Sequence, residues 1–81
     1  MKITISNGST SQTVTPETID TITYFPPKEQ VEIHYSYQIQ VEIAPDTFQI
    51  YRYKLHPPIT DEKFNKGDMM HALATVAVSH T

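Results

Sequence analysis

The feature that most constrains this chain is a strict alternation of apolar and polar residues over positions 31–43. The apolar side chains occupy every odd position: Val31, Ile33, Tyr35, Tyr37, Ile39, Val41 and Ile43. The polar side chains occupy every even position: Glu32, His34, Ser36, Gln38, Gln40 and Glu42. Because successive side chains of a β-strand point to opposite faces, the pattern predicts a strand with one buried and one solvent-facing side.

The predicted strand is long for a chain of this size. Thirteen extended residues span about 43 Å, whereas a compact chain of 81 residues has a diameter of about 30 Å. We therefore expect the strand to bend at a bulge, to coil strongly, or to reach out and pair with another subunit.

A second strand follows after the turn-forming segment 44–47 and predicts a hairpin of about residues 30–43 and 47–55. A tight hairpin pairs Ile43 with Phe48 and Val41 with Ile50 on the apolar face, but the same register carries Arg52 and Lys54 onto that face. We therefore predict a bulge near Ile50 and Tyr51, which would turn the later tyrosines inward. The alternative is a half-exposed end at which the two cations lie over a tyrosine ring.

The N-terminal residues predict a smaller hairpin. Residues 2–6 alternate with Ile3 and Ile5 on one face, and Asn7-Gly8 suits a two-residue turn with positive φ. A partner strand over residues 9–15 would then form an edge of the sheet or a flexible arm. One helical turn at most is expected after Thr15-Pro16, followed by a strand over residues 19–25 that ends at two prolines.

The C-terminal residues predict helix. Residues 61–66 suggest one short turn, and Gly67 is expected to end it in the left-handed conformation. A main helix over residues 68–79 would then present one apolar face, formed by Met69, Met70, Leu73, Val76 and Ala77. Together these patterns predict a single α+β domain over residues 1–81, with an antiparallel sheet centred on the long hairpin and the C-terminal helix packed on one face.

Composition restricts the classes of function. The net charge of −3 with six basic side chains gives no electrostatic footprint for wrapping nucleic acid. No apolar run reaches the length of about 20 residues that spans a bilayer, and residues 1–8 do not resemble a signal peptide. We therefore expect a cytoplasmic protein without a membrane partner. The chain contains no cysteine, which excludes disulfides and thiolate metal sites.

No catalytic or metal-binding pattern is found in the sequence. Glu32, His34 and Ser36 share one strand face, but neighbours along a face are about 6–7 Å apart and a triad needs contacts near 3 Å. His71 and His80 have no second ligand three or four residues later in the chain, and two glycines cannot form a phosphate-binding loop. The sequence predicts no enzyme, no cofactor and no metal; a small metal-binding or hydrolytic protein that uses the histidines is the third-ranked hypothesis.

The tyrosines are the one pattern that indicates a function. Four of the five fall in the long hairpin beside an arginine, and tyrosine and arginine are enriched at protein interfaces. The predicted interaction surface consists of Tyr35, Tyr37, Tyr51, Arg52 and Tyr53. The equally weighted alternative is a small core completed by tyrosines whose hydroxyls reach the rim.

These residues predict a non-catalytic protein–protein interaction module that forms a homodimer and binds a further, unidentified protein. By analogy with other compact chains that lack motifs, we hypothesise an accessory or inhibitor protein of a virus or mobile element. The second hypothesis is a nucleic-acid-binding regulator that stacks bases on a Tyr/Arg strand surface.

Overall fold

The computed structural model describes residues 1–31, 34–55 and 66–79, and this part of the chain forms one antiparallel sheet and one α-helix. The strands are β1 (Lys2–Ser6), β2 (Ser11–Val14), β3 (Glu29–Val31), β4 (His34–Ala44) and β5 (Thr47–Leu55), and the helix is α1 (Lys66–Val78). The predicted α+β fold, with its central hairpin β4–β5 and a C-terminal helix, is confirmed.

Strand β4 is the centre of the sheet. One of its edges pairs with β5 over most of its length, while the other edge pairs with β1 in its second half and with β3 in its first. Strand β2 pairs with the far side of β1. Within the described residues the sheet therefore ends in β2 and β3 on one side and in β5 on the other.

The segment predicted as one strand contains two. Strands β3 and β4 are antiparallel, with Val31 opposite His34, so the continuous strand begins at His34 and has eleven residues. Eleven extended residues span about 36 Å, which equals the longest dimension of the molecule, 36 Å. The mismatch between strand and domain length does not arise, because the strand is shorter and the molecule more elongated than we expected.

The hairpin contains a bulge, but not at the predicted place. The register shifts between Glu42 and Ala44, so the extra residue is Ile43 and the irregularity precedes the turn. Pro45 and then Asp46, whose φ is 60°, form that turn; proline followed by positive φ is the pattern of a type II turn. The prediction of a bulge near Ile50 and Tyr51 is wrong, although the predicted consequence for the tyrosines is correct.

The N-terminal hairpin is confirmed with a longer loop than predicted. Residues 7–10 connect β1 and β2, and Gly8 has the positive φ of 93°. The side chain of Asn7 is buried and organises the loop: its Oδ1 accepts hydrogen bonds from the backbone N–H groups of Ser9 and Thr10 at 2.9 and 2.7 Å. Its Nδ2 donates to the carbonyl of Pro26 at 2.7 Å.

The strand predicted over residues 19–25 is absent. Residues 19–21 form a 3₁₀ turn, Ile19–Thr21, and the chain continues to Lys28 without a strand partner among the described residues. Ile22 and Phe25 are nevertheless buried in the core. The β-branched residues of this segment predict a strand, but of these residues Ile22 is buried, whereas Thr21 and Thr23 are exposed.

Helix α1 packs on one face of the sheet with Met69, Ala72, Leu73, Val76 and Ala77 buried. The predicted apolar face is thus confirmed, with Ala72 buried in place of Met70, which is only partly buried. The helix includes Gly67 in its first turn, so the prediction that Gly67 ends a helix is wrong; the predicted turn before it lies almost wholly outside the described residues. No described helix is long and apolar enough to cross a membrane.

The core lies between α1 and the facing side of β1, β4 and β2, and we call this side the core face. Its sheet residues are Ile3, Ile5, Val14, Tyr37, Ile39 and Val41. The opposite side, which we call the back face, carries the other residues of each strand, including Thr4 and Thr13, whose hydroxyls are hydrogen bonded at 2.9 Å.

Candidate functional site

The predicted surface residues lie in one hairpin but not on one face. The β4–β5 register places Tyr37 opposite Tyr53 and Ile39 opposite Tyr51. Directly opposite residues of an antiparallel pair share a face, so all four hairpin tyrosines belong to the core face. Arg52 lies opposite Gln38 and therefore projects from the back face. A single continuous Tyr/Arg surface is not formed.

Tyr37 is a core residue. Its side chain is 0 % exposed, its hydroxyl donates a hydrogen bond to the carbonyl oxygen of Phe25, and its ring meets the Phe25 ring edge to face at a centroid distance of 5.5 Å. We therefore remove Tyr37 from the predicted interaction surface, because a partner cannot reach it. The alternation of residues 31–43 places it correctly on the apolar face.

Tyr51 and Tyr53 are partly buried and pack against the edge of the core. The hydroxyl of Tyr51 donates to the side-chain Oε1 of Gln49, two residues away on the same face, at 2.8 Å. Tyr35 is also partly buried, near the far end of the hairpin. These three residues have an apolar body in contact with the protein and some area left for a partner, as tyrosines at interfaces do.

Arg52 joins three strands across the back face. Its guanidinium donates to Glu29 of β3 at 2.5 Å and lies 3.4 Å from the hydroxyl of Ser36 in β4. Ser36 is fully buried although it is on the back face. A partly exposed ion pair contributes at most about 1 kcal/mol to the free energy of unfolding. The main effect of this ion pair is to hold the long Arg52 side chain toward β3 and away from the outer edge of β5.

The most exposed apolar residues of the sheet are two that the sequence analysis assigned to the core. Phe48 is 49 % and Ile50 is 61 % exposed; they lie opposite Glu42 and Gln40 on the back face. The bulge at Ile43 causes this placement, because one extra residue reverses the faces of everything paired beyond it. The sequence of β5 itself indicates this placement. Phe48, Ile50, Arg52 and Lys54 lie at alternate positions and therefore project from the same face of the strand, and two cations on that face favour the solvent side.

Strand β5 is an edge strand of nine residues. Its inner side pairs with β4, and no described element pairs with its outer side. An edge strand presents a row of backbone N–H and C=O groups to the outside and is a template for pairing with another chain. Proteins commonly protect such edges by shortening them or by placing charge there; here two large apolar side chains lie beside the edge.

The described residues contain no group of three potential metal ligands. Of the histidines, His71 is exposed on α1, His34 contributes its backbone to β4, and positions 56 and 80 lie outside the described residues, as does Glu32. The hypothesis of a histidine site therefore gains no support from this part of the chain.

A shallow groove runs between α1 and the 3₁₀ turn. It is lined by Pro16, Glu17, Ile19, Asp20, Gly67, Met70, His71 and Ala74. A hydrogen bond with its own backbone and a second with the Thr15 hydroxyl lower the pKa of the Glu17 carboxyl from its ordinary value. No ion pair or hydrogen bond joins His71 to Glu17 or Asp20 in this described part of the chain, which leaves β5 as the better candidate site.

Comparison with protein-family models, with curated proteins and with solved structures finds no match to this chain.

Proposed function

We propose that the protein is a non-catalytic protein–protein interaction module that forms a homodimer through the outer edge of β5. The observation that carries the proposal is the combination of an edge strand without a described outer partner with two exposed apolar residues on it, Phe48 and Ile50. Addition of a strand to an open edge is a common mode of protein recognition, in which backbone hydrogen bonds provide affinity and alternate side chains provide specificity.

Edge pairing also uses both faces of β5. A strand added beside β5 contacts the margins of both faces, so it meets Tyr51 and Tyr53 on the core face and Phe48 and Ile50 on the back face. No partner that lies flat on one face would meet both pairs. The nucleic-acid alternative needs aromatic and basic groups on one surface, and the opposite placement of Tyr51 and Arg52 gives it no support.

Small size favours the same conclusion. A chain of 81 residues buries a modest share of its surface, and oligomerisation is a usual way for small domains to bury more. Twofold symmetry is the commonest form of such an assembly. The proposal also includes a cytoplasmic location and an accessory role toward a second, unidentified protein; both rest on the sequence alone.

The proposal is tested by measuring the solution mass of three proteins with light scattering over a range of concentrations. The unaltered chain is expected at twice 9.3 kDa. Ile50→Lys places a charge beside the edge and is expected to give a monomer that remains folded, because Ile50 is already largely exposed and exposed substitutions cost within about 0.5 kcal/mol.

The matched control is Val78→Lys, which makes a similar apolar-to-lysine change at a 71 % exposed position on α1. It is expected to keep the dimer. A monomeric unaltered chain at every concentration, or equal masses for the two folded variants, would contradict the proposal.

A further inference from the structure

The search for an occupant of the β5 edge leads to a second copy of β5 in a defined register. We infer that two copies pair β5 with β5, antiparallel, about a twofold axis that passes beside Ile50. This inference rests on the proposed function, since it names the partner and the alignment at the same edge.

Symmetry limits the possible registers. A twofold axis perpendicular to the sheet joins the two sheets into one and keeps both core faces on the same side. Directly opposite residues of an antiparallel pair share a face. Each even-numbered residue of β5 must therefore face an even-numbered residue of the second copy, and each odd-numbered residue an odd-numbered one. The axis must therefore pass beside a single residue rather than between two.

Apolar contact and charge disfavour the neighbouring registers. Arg52 and Lys54 are the only charged residues in the segment 47–55, and both are cations on the back face. An axis at Tyr51 places Phe48 opposite Lys54 of the second copy and out of reach of both apolar side chains there; an axis at Arg52 moves Phe48 farther away. An axis at Gln49 keeps the apolar side chains together but places Asp46 opposite Arg52 of the second copy, whose guanidinium already donates to Glu29 of its own β3, and gives Lys54 no opposite charge.

The register centred on Ile50 removes these contacts and collects the apolar side chains. Ile50 faces Ile50 of the second copy, and Phe48 lies on the diagonal to it, so the four exposed apolar side chains form one cluster. Phe48 also faces Arg52 of the second copy, which suits the aliphatic stem of the arginine. Asp46, in the turn that precedes β5, comes next to Lys54 and supplies the opposite charge.

The core face is also complementary in this register. Gln49 faces Tyr51 of the second copy, and the two copies of Tyr51 lie on a diagonal within reach of their rings. The hydrogen bond that Tyr51 already makes to Gln49 within one chain is thus extended across the axis. Seven residues, from Thr47 to Tyr53, are paired in each copy.

Disulfide trapping tests the register directly, because the chain contains no cysteine and each single-cysteine variant has one thiol. A disulfide needs a Cβ–Cβ distance of about 3.5–4.5 Å, which directly opposite residues approach and diagonal residues do not. Under mild oxidation, Ile50→Cys is expected to form a covalent dimer at least about tenfold faster than Tyr51→Cys or the distant control Val78→Cys. An equal mixture of Phe48→Cys and Arg52→Cys is expected to form the mixed disulfide faster than either variant forms its own.

The outcomes separate the inference from the proposed function. If the unaltered chain is a dimer but Tyr51→Cys or Val78→Cys reacts fastest, the register is wrong and the module can still be a dimer. If the cysteine at position 50 prevents association, the mixture of Phe48→Cys and Arg52→Cys decides the question. Failure of this mixture to form the mixed disulfide overturns the register. A monomeric unaltered chain overturns the proposed function itself.

Discussion

Replacing Tyr37 by Phe removes one oxygen atom and tests the assignment of this tyrosine to the core. The ring keeps its edge-to-face contact with Phe25, so packing is preserved and the cost comes from the hydroxyl alone. The variant loses the hydrogen bond to the Phe25 carbonyl and leaves that acceptor in a buried position. An unsatisfied buried group of this kind costs about 1–3 kcal/mol, and each 1 kcal/mol lowers Tm by about 4–8 °C in a domain of this size.

Urea denaturation of Tyr37→Phe measures the change in the free energy of unfolding, and Thr75→Val is the control. The Thr75 hydroxyl donates to the His71 carbonyl at an exposed position on α1, away from β5, where water replaces the lost partner and the expected cost is below about 0.5 kcal/mol. Equal stability of the two variants would refute the reasoning. Tyr37→Glu is expected to unfold the domain, since it buries a charge.

Two further substitutions test the sheet faces and the start of the helix. Ile39→Asp is expected to cost several kcal/mol and unfold the domain, because Ile39 is fully buried. Gln38→Asp, one residue earlier on the back face, should change the thermal midpoint little. Equal tolerance of both substitutions would contradict the assignment of faces. Gly67→Ala is expected to raise the free energy of unfolding by up to about 1 kcal/mol, because Gly67 lies within α1; a decrease measured by urea denaturation would restore the earlier prediction of a left-handed Gly67.

The sequence predicted the faces of β4 because its residues alternate over the whole strand. Tyr37, Ile39 and Val41 are buried as the pattern requires. Alternation cannot locate a single inserted residue, however, and the position of the bulge alone decides which residues of β5 face the core. A bulge at Ile43 rather than at Ile50 therefore reversed the predicted positions of Phe48 and Ile50 and concealed the candidate site.

The errors elsewhere have a common physical origin. Residues 19–25 contain β-branched side chains, and tertiary packing of Ile22 and Phe25 against α1 and the sheet overrides their strand preference. Gly67 resembles a helix stop by residue type alone, but a helix tolerates a glycine at a cost of about 1 kcal/mol relative to alanine, so local sequence did not settle its role. Both positions depend on contacts with distant parts of the chain, which no short pattern contains.

The buried side chain of Asn7 has a consequence for the chemical lifetime of the protein. In an Asn-Gly sequence the following backbone nitrogen can attack the side-chain amide, which converts the asparagine into an acid. Here three hydrogen bonds hold that amide, and the Gly8 nitrogen itself donates to the Ser6 hydroxyl at 3.1 Å, so the folded chain is protected. An acid at this position would lose its donor to Pro26 and place a carboxylate against a carbonyl oxygen. Prolonged storage in the unfolded state is therefore expected to reduce the refolding yield in proportion to the deamidated fraction that mass spectrometry detects. Folded samples of equal age are expected to keep the asparagine and the full refolding yield. Equal deamidation rates in the two states would show that these bonds give no protection.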